Sequence, residues 1–255
     1  MTSEYTLIWS FRNRIAELKD SVESADKYTS KDMKFLLIDA NSDYYNIKWI
    51  HDICNNIKER EIRICETHYR TTLPEAWNLG MMLSDTRYCI FASSDVTFHR
   101  YSWYIRLIGK YDYVLMPNHA VFALDKAIIP KIGWFDEKFK NGPHFDCDYM
   151  IRASEANIPV LSIENENFYH HQDQPEVTKA RLSSEMRDRL PMNDLYNEKY
   201  FKLKWKSNWP GWENAADPLN LPHPPTNIHQ VKRCLAEVDP HRMYTDRFSL
   251  LYNKD

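Results

Sequence analysis

Glycine is scarce in this sequence, which argues against two large classes of nucleotide-binding protein. Only five glycines occur among the 255 residues. None stands in the GxGxxG or GxxxxGK[ST] patterns that cradle phosphates in many dehydrogenases and in P-loop proteins. If the protein binds a nucleotide, its phosphates must be neutralised in another way. A divalent cation held by carboxylates is the usual substitute, so the search turns to Asp and His.

Disulfide frameworks, zinc knuckles and membrane spans are not indicated either. The five cysteines are odd in number, scattered and free of CxxC pairs, which favours a reducing compartment. No stretch approaches the roughly 20 apolar residues of a membrane span. The first residues lack the basic and apolar regions of a signal peptide. We expect a soluble, cytoplasmic protein without a transmembrane segment.

The charge balance argues against nucleic acid as a partner. The chain has 33 basic and 36 acidic residues and a formal net charge of -3, so it carries no basic surplus that would attract polyanions. A hydrophobic content of 43% supplies enough apolar material for a real core. These features suit a globular protein that binds a small polar ligand.

Apolar runs alternate with amphipathic stretches over the first hundred residues. The runs predict strands near 5–10, 34–39 and 88–92, and apolar residues at helical spacing predict helices near 15–25, 45–58 and 73–84. This alternation predicts an α/β fold with a mostly parallel central sheet flanked by helices. Ligands bind such sheets beyond the carboxyl ends of the strands, which is where Asp39 and Asp95 are expected.

The composition changes near residue 207. Beyond this point Trp, Pro and Asn replace the periodic pattern, and prolines punctuate the chain at Pro210, Pro218, Pro222, Pro224 and Pro225. We therefore expect a main domain over residues 1–206. The remaining residues, 207–255, are expected to form an irregular C-terminal extension that packs on this domain.

Several motifs occur in the order found in glycosyltransferases of the GT-A fold. They are a strand and polar turn (8–14), EAWNLG (75–80), IFASSDV (90–96), GWFDEKF (133–139), FDCDYMIR (145–152) and NDLYNEKYFKLKW (193–205). Over roughly residues 4–205 the chain resembles inverting, family-2-like members of that group. The resemblance implies a nucleotide-sugar donor linked to UDP, GDP or dTDP. It also implies a carbohydrate or glycoprotein-glycan acceptor.

The resemblance assigns one set of residues to the donor and its cation. In the family, the last acid of the DxD-type motif ligates a cation that bridges the donor diphosphate, so Asp95 is expected to bind Mn²⁺ or Mg²⁺. The first acid of that motif is replaced here by Ser93. A late histidine completes the metal shell in some members, and either His170 or His171 fits this role. The expected donor-binding residues are Ser10, Arg12, Asp39, Asn78, Ser93, Ser94 and Asp95.

A second set is assigned to the acceptor. Asp146 falls on the family's general base, which removes the proton of the acceptor hydroxyl as it attacks the anomeric carbon. Direct displacement would invert the anomeric configuration. The glutamate that precedes the base in the family is replaced here by Phe145. Trp134 and Asp148 are expected to contact the acceptor, although Asp148 and Arg152, four residues apart on a helix, also suit an ion pair.

Simpler explanations remain open for these residues. Asp39 and Asp95 also suit turn acids, the histidine pair a surface loop, and Asp146 a helix cap. Because Ser93 and Phe145 depart from the family pattern, the main alternative function is a catalytically silent nucleotide- or carbohydrate-binding protein on the same fold. A nucleotidyltransferase would need a glycine-rich loop near the first strand. A metallohydrolase would need more clustered ligands.

Overall fold

The computed structural model describes most of the predicted main domain and one strand of the extension. The described residues are 4–101, 103–104, 113–115, 120–162, 168–170, 184–205 and 248–251. His171 and the extension over residues 207–247 lie outside these ranges. Among the described residues, no helix is both long and apolar enough to cross a membrane.

Strands and helices alternate along the first half of the chain, as the apolar pattern predicts. The strands are β1 (Tyr5–Phe11), β2 (Lys34–Asp39), β3 (Ile62–Thr67), β4 (Tyr88–Ser93), β5 (Val96–Phe98), β6 (Tyr113–Leu115), β7 (Val121–Asp125), β8 (Val160–Ser162), β9 (Phe168–His170) and β10 (Phe248–Leu251). The helices are α1 (Ile15–Tyr28), α2 (Tyr44–Asn56), α3 (Leu73–Leu83), α4 (Ile129–Ile132), α5 (Phe145–Glu155) and α6 (Ser184–Trp205). A 3₁₀ turn, Lys126–Ile128, leads into α4.

The central sheet has the strand order β10-β3-β2-β1-β4-β7-β6-β8. Strands β3, β2, β1 and β4 are mutually parallel, and β6 pairs in parallel with β8. Two strands run against their neighbours, namely β7 between β4 and β6, and β10 beside β3. The predicted α/β fold with a mostly parallel sheet is confirmed. The two reversed strands are not indicated by the sequence pattern.

Strands β1, β2, β4 and β7 are buried on both faces of the sheet, which explains their unbroken apolar runs. Successive side chains of a strand point to opposite faces. In β1, Leu7 and Trp9 pack in a core cluster that includes Leu18 and Val22 of α1. Ile8 points to the other face and packs in a cluster with residues of α3. One strand therefore joins two hydrophobic layers.

Helix α3 lies unusually close to β1. A Cβ atom added at Gly80 would lie 2.7 Å from Cγ2 of Ile8, which is closer than real side chains approach one another. The helix begins with a capping box, in which the Glu75 amide donates to the Thr72 hydroxyl and the Thr72 amide donates to the Glu75 carboxylate. The capping box thus fixes the start of α3, and the absence of a side chain at Gly80 permits its short distance from the sheet.

A small second sheet follows the end of β4. The chain turns at Ser94 and Asp95, and β5 then pairs with β9 in antiparallel fashion, with Val96 opposite His170. The sequence pattern did not indicate β5. Its pairing places the backbone of His170 beside the residue that follows Asp95.

We expect Gly80→Ala to destabilise the protein by about 1–3 kcal/mol, because the added methyl group overpacks the contact with Ile8. Alanine's better helix propensity offsets about 1 kcal/mol of such a cost. Urea unfolding followed by circular dichroism measures the difference. The same change made in an Ile8→Ala background serves as the control. There the penalty should disappear, and a penalty that persists would contradict the close-approach explanation.

Candidate functional site

The loops after β1 and β2 form a cross-linked rim at the carboxyl ends of the parallel strands. The side chain of Asn13 donates to Oδ2 of Asp43 at 2.9 Å, and the Asp43 amide donates back to Oδ1 of Asn13 at 2.8 Å. The Asn13 amide donates to the Ser42 hydroxyl at 3.0 Å. Asn13 and Asn41 both have positive φ angles, 53° and 62°. These bonds hold the rim in one shape before any ligand arrives.

Asp95 lies at this rim, in the turn after β4, with only 4% of its surface exposed. The guanidinium of Arg14, from the loop after β1, approaches it with 3.3 Å between Nη1 and Oδ2. Arg12, also in that loop, donates from Nε to the backbone oxygen of Asn41 at 3.3 Å. The guanidinium groups of Arg12 and Arg14 and the carboxylate of Asp95 therefore lie at the ends of β1, β2 and β4. Such a rim suits a charged ligand.

Arg14 is a site residue that sequence reasoning missed. It lies in the polar turn that carried part of the resemblance, so its cationic character was visible. Its partner is 81 residues away along the chain, and only the parallel pairing of β1 with β4 brings the two together.

The described residues fit the predicted cation site in part. A carboxylate at a strand end offers the hard oxygen ligand that Mn²⁺ and Mg²⁺ prefer, and the backbone of His170 lies beside β5. Within the described residues, no three His, Cys, Asp or Glu side chains cluster as a metal site. His171 and the side chain of His170 are not among the described atoms. Metal ligation by either histidine stays a prediction.

Asp39 lies at the end of β2, as predicted, and its carboxylate forms hydrogen bonds within the turn that follows this strand. It is 1% exposed and accepts hydrogen bonds from the amide and the hydroxyl of Ser42. Burial raises the pKa of Asp39 above its ordinary value, while the bonds from Ser42 oppose this effect. Asp39 thus stabilises the rim loop. A contact between Asp39 and the nucleoside stays a prediction.

The three predicted serines occupy the edge of the same rim. Ser10 of β1 and Ser93 of β4 are partners in the parallel ladder, and both are half-buried. The Ser93 amide donates to the backbone oxygen of Ala120 at 2.8 Å. Ser94 is buried beside Asp95. Their positions are compatible with donor contacts, which remain predictions.

Asn78 does not belong to the rim, and its predicted contact with the donor is corrected. It is 2% exposed, and both ends of its amide bond to the segment after α4. Its Oδ1 accepts from the Phe135 amide, and its Nδ2 donates to the Phe135 oxygen, both at 2.9 Å. Nδ2 also lies 2.8 Å from Oε1 of Glu137. Asn78 fastens this segment to α3.

Asp146 is the second residue of α5 and is half-buried. The residue that caps the helix is His144, in the left-handed region with φ 83°, and no side-chain cap bond is formed. Asp146 is therefore not the N-cap residue of the helix. Its Oδ1 accepts from the Cys147 amide at 2.8 Å. The helix dipole favours a carboxylate at this end.

Asp148 has no exposed surface, so the predicted acceptor contact is corrected. Its Oδ2 accepts from Nε and Nη2 of Arg152 at 3.0 and 2.9 Å. Its Oδ1 lies 2.7 Å from Nζ of Lys204 and accepts from Nε1 of Trp205 at 3.0 Å. The alternative of an ion pair with Arg152 is the one that the structure shows. Asp148 is a buried structural carboxylate.

Trp134 is half-buried and packs against the core cluster that contains Ile8. Its backbone oxygen accepts from Nη1 of Arg152 at 2.8 Å. Because part of the indole is exposed, it is accessible to an acceptor, and this contact stays a prediction.

Side chains of the motif in α6 bind the segment between α4 and α5. The sequence pattern did not indicate this role. The Asn197 side chain accepts from the Lys140 amide and donates to the backbone oxygens of Lys140 and Pro143. Tyr200 and Lys204 both donate to Oδ2 of Asp136, at 2.8 and 2.6 Å. Burial acts to raise the pKa of Asp136, but the ammonium of Lys204 outweighs it and holds that pKa below its ordinary value.

The loops of this rim lie in a part of the chain that matches a known family. Residues 6–121 match the family described as "Glycosyl transferase family 2". Over this stretch the chain is similar to family 2 glycosyltransferases. The predicted resemblance is thereby confirmed for β1 through the start of β7, including Asp95 and Arg14. Asp146 and α6 lie beyond the matched residues. No curated protein sequence matches the chain.

Solved glycosyltransferases share the fold at low identity. TarS of S. aureus is 13% identical with a TM-score of 0.53, covering 78% of this chain and 44% of its own. Mannosyltransferase PcManGT of Pyrobaculum calidifontis, in complex with GDP-Man and Mn²⁺, is 10% identical with a TM-score of 0.57, covering 96% and 82%. GalNAc-T7, with UDP, GalNAc and Mn²⁺, is 12% identical with a TM-score of 0.58, covering 91% and 54%. The GT-A fold is confirmed, and the chain spans about half the length of TarS and GalNAc-T7.

The fold alone does not separate sugar transfer from nucleotidyl transfer. The 4-diphosphocytidyl-2C-methyl-D-erythritol synthase of Anaerococcus prevotii is 13% identical, with a TM-score of 0.52, covering 71% of this chain and 95% of its own. Two observations favour sugar transfer. One is the family match of residues 6–121, and the other is the missing glycine-rich loop after the first strand.

Proposed function

We propose that the protein is a metal-dependent glycosyltransferase that moves a sugar from a UDP-, GDP- or dTDP-linked donor to a hydroxyl of a carbohydrate acceptor. The observation that carries this proposal is the contact between Arg14 and Asp95. It joins a cation and a buried acid at the carboxyl ends of β1 and β4, where ligands bind in open α/β sheets. The family match covers both residues.

The donor diphosphate binds at this rim. Arg12 and Arg14 provide the positive charge that a glycine-rich loop supplies in other nucleotide-binding proteins. Asp95, together with His170 or His171, would hold Mn²⁺ or Mg²⁺. That cation stabilises the negative charge of a departing nucleoside diphosphate. Manganese in the structures of PcManGT and GalNAc-T7 supports this assignment.

The acceptor binds on the side of α5. Asp146 takes the proton of the attacking hydroxyl, and direct displacement inverts the anomeric carbon. Asp146 and Asp148 differ in burial and in their ion pairs. Asp148 is fully buried and held by Arg152 and Lys204, whereas Asp146 is half-buried at the start of the helix. A carboxylate with a solvent-facing side is the one that a substrate can reach.

A catalytically silent binding protein remains the second candidate. Ser93 removes the first carboxylate of the metal motif, and Phe145, whose ring packs 5.0 Å from that of Trp77, replaces the acid beside the base. Binding of a nucleoside diphosphate without turnover would favour this candidate.

We expect Asp95→Ala to abolish Mn²⁺-dependent binding of UDP and GDP, because it removes the carboxylate at the rim. Calorimetric titration of each nucleotide with and without Mn²⁺ measures this effect. Asp85→Ala is the matched control, since Asp85 precedes the opposite end of β4 and its side chain is 56% exposed. This control should bind as the wild type does. Equal loss in both variants would contradict the assignment of Asp95.

We expect Asp146→Asn to lower turnover by about a hundredfold or more, because the amide keeps the shape of the side chain and cannot act as a base. Affinity for nucleotide and Mn²⁺ should stay at the wild-type value. Release of nucleoside diphosphate measures turnover, and Glu155→Gln, which removes an exposed acid at the other end of α5, is the control. Wild-type turnover in Asp146→Asn would remove Asp146 from the mechanism.

A further inference from the structure

Lys204 joins two acids that belong to different segments of the acceptor side. Its Nζ lies 2.6 Å from Oδ2 of Asp136, in the turn after α4. The same atom lies 2.7 Å from Oδ1 of Asp148, in the first turn of α5. Lys204 itself is buried near the end of α6. One ammonium group therefore ties three segments together.

The neighbours of Lys204 on α6 hold the same two segments. Trp205 donates to Oδ1 of Asp148 at 3.0 Å, and Tyr200 donates to Oδ2 of Asp136 at 2.8 Å. The turn before α5 also lies directly against α6, because a Cβ atom added at Gly142 would be 2.6 Å from Oδ1 of Asp194. Residues 194–205 of α6 thus contact the stretch 136–148.

Asp136, Asp148, Arg152 and Lys204 form a charged cluster. The loss of Lys204 would disturb its charge balance. Two acids, Asp136 and Asp148, face two cations, Arg152 and Lys204, and Asp148 is completely shielded from solvent. The loss of one cation leaves a buried carboxylate without full compensation, and buried charges tolerate this poorly. The segment that carries Asp136 would then lose its strongest link to α5.

The geometry connects this cluster to Asp146 through the helix backbone. Asp146 precedes Asp148 by two residues, which places their side chains about 200° apart around an α-helix. Asp148 points into the cluster, so Asp146 points away from it. Fixing the rotation of the first turn at Asp148 consequently fixes the direction of the Asp146 carboxylate.

We propose that Lys204, acting through Asp148 and Asp136, is a positioning residue that orients Asp146 and the acceptor segment, residues 133–143, toward the donor. This inference rests on the proposed function. It assigns to the α6 motif a part in turnover that is separate from donor binding, since the cluster lies on α5 and α6 whereas the donor rim lies on β1, β2 and β4.

The test compares Lys204→Met with Lys204→Arg, and with Lys202→Met as the matched control. Lys202 lies on the same helix and pairs with Glu198 at the surface. Each protein is given UDP-GlcNAc, UDP-GalNAc or GDP-mannose with Mn²⁺ and a mixture of methyl glycosides, and release of nucleoside diphosphate is followed. Lys204→Met should lower kcat at least tenfold while the KM for the donor and the calorimetric affinity for UDP or GDP stay unchanged. Lys204→Arg should recover part of the loss, and Lys202→Met should behave as the wild type.

Trp205→Phe provides a milder variant that keeps an aromatic ring in the core and removes the N–H group that donates a hydrogen bond to Asp148. It decides the question if Lys204→Met fails to fold, and it should lower kcat severalfold at unchanged donor affinity. Wild-type kcat in a folded Lys204→Met, or in Trp205→Phe when Lys204→Met does not fold, overturns the inference. A parallel loss of donor affinity also overturns it. A wild-type protein that binds no nucleotide would instead refute the proposed function itself.

Discussion

Compensation of buried carboxylates by cations from distant segments is the interaction on which this structure most depends. A carboxylate removed from water costs several kcal/mol unless it is paired and hydrogen-bonded. Asp148 meets this requirement with Arg152 from its own helix and Lys204 from α6. Asp95, in the turn after β4, is approached by Arg14 from the loop after β1. In each case an ion pair joins elements that are far apart in the sequence, α5 with α6 and the loop after β1 with the turn after β4.

The same constraint separates structural acids from those available to a substrate. Asp136, Asp148 and Asp39 spend their oxygens on neighbouring groups of the protein. Asp146 also accepts a hydrogen bond, from the Cys147 amide, but it is half-buried in the first turn of the helix and lies on the side opposite Asp148. In the first turn of α5, Asp148 is therefore an interior acid and Asp146 an accessible one. The rim at the ends of β1 and β2 is ordered in a similar way, since the bonds of Asn13 with Ser42 and Asp43 fix the loop that carries Arg12 and Arg14.

Local patterns in the sequence predicted the elements well, because strands buried on both faces read as continuous apolar runs and the helices between them keep an apolar stripe. They did not predict which partner a side chain finds across the fold. The spacing of Asp148 and Arg152 indicated an ion pair. The contacts of Asp148 with Lys204 and Trp205 were not indicated, because the contact with Trp205 spans 57 residues along the chain. Asn78 was assigned to the donor from its motif, although its amide matches the backbone of Phe135. The reversed strand β7 and the pairing of β5 with β9 likewise depend on long-range packing.

The most direct test of the central claim is a proton NMR time course of the wild-type protein with Mn²⁺, a nucleotide sugar and methyl glycoside acceptors. We expect a new glycosidic anomeric signal whose configuration is opposite to that of the donor, together with free nucleoside diphosphate. Tight nucleotide binding without a new glycosidic signal would contradict sugar transfer and favour a binding protein. A product that retains the configuration of the donor would contradict direct displacement assisted by Asp146.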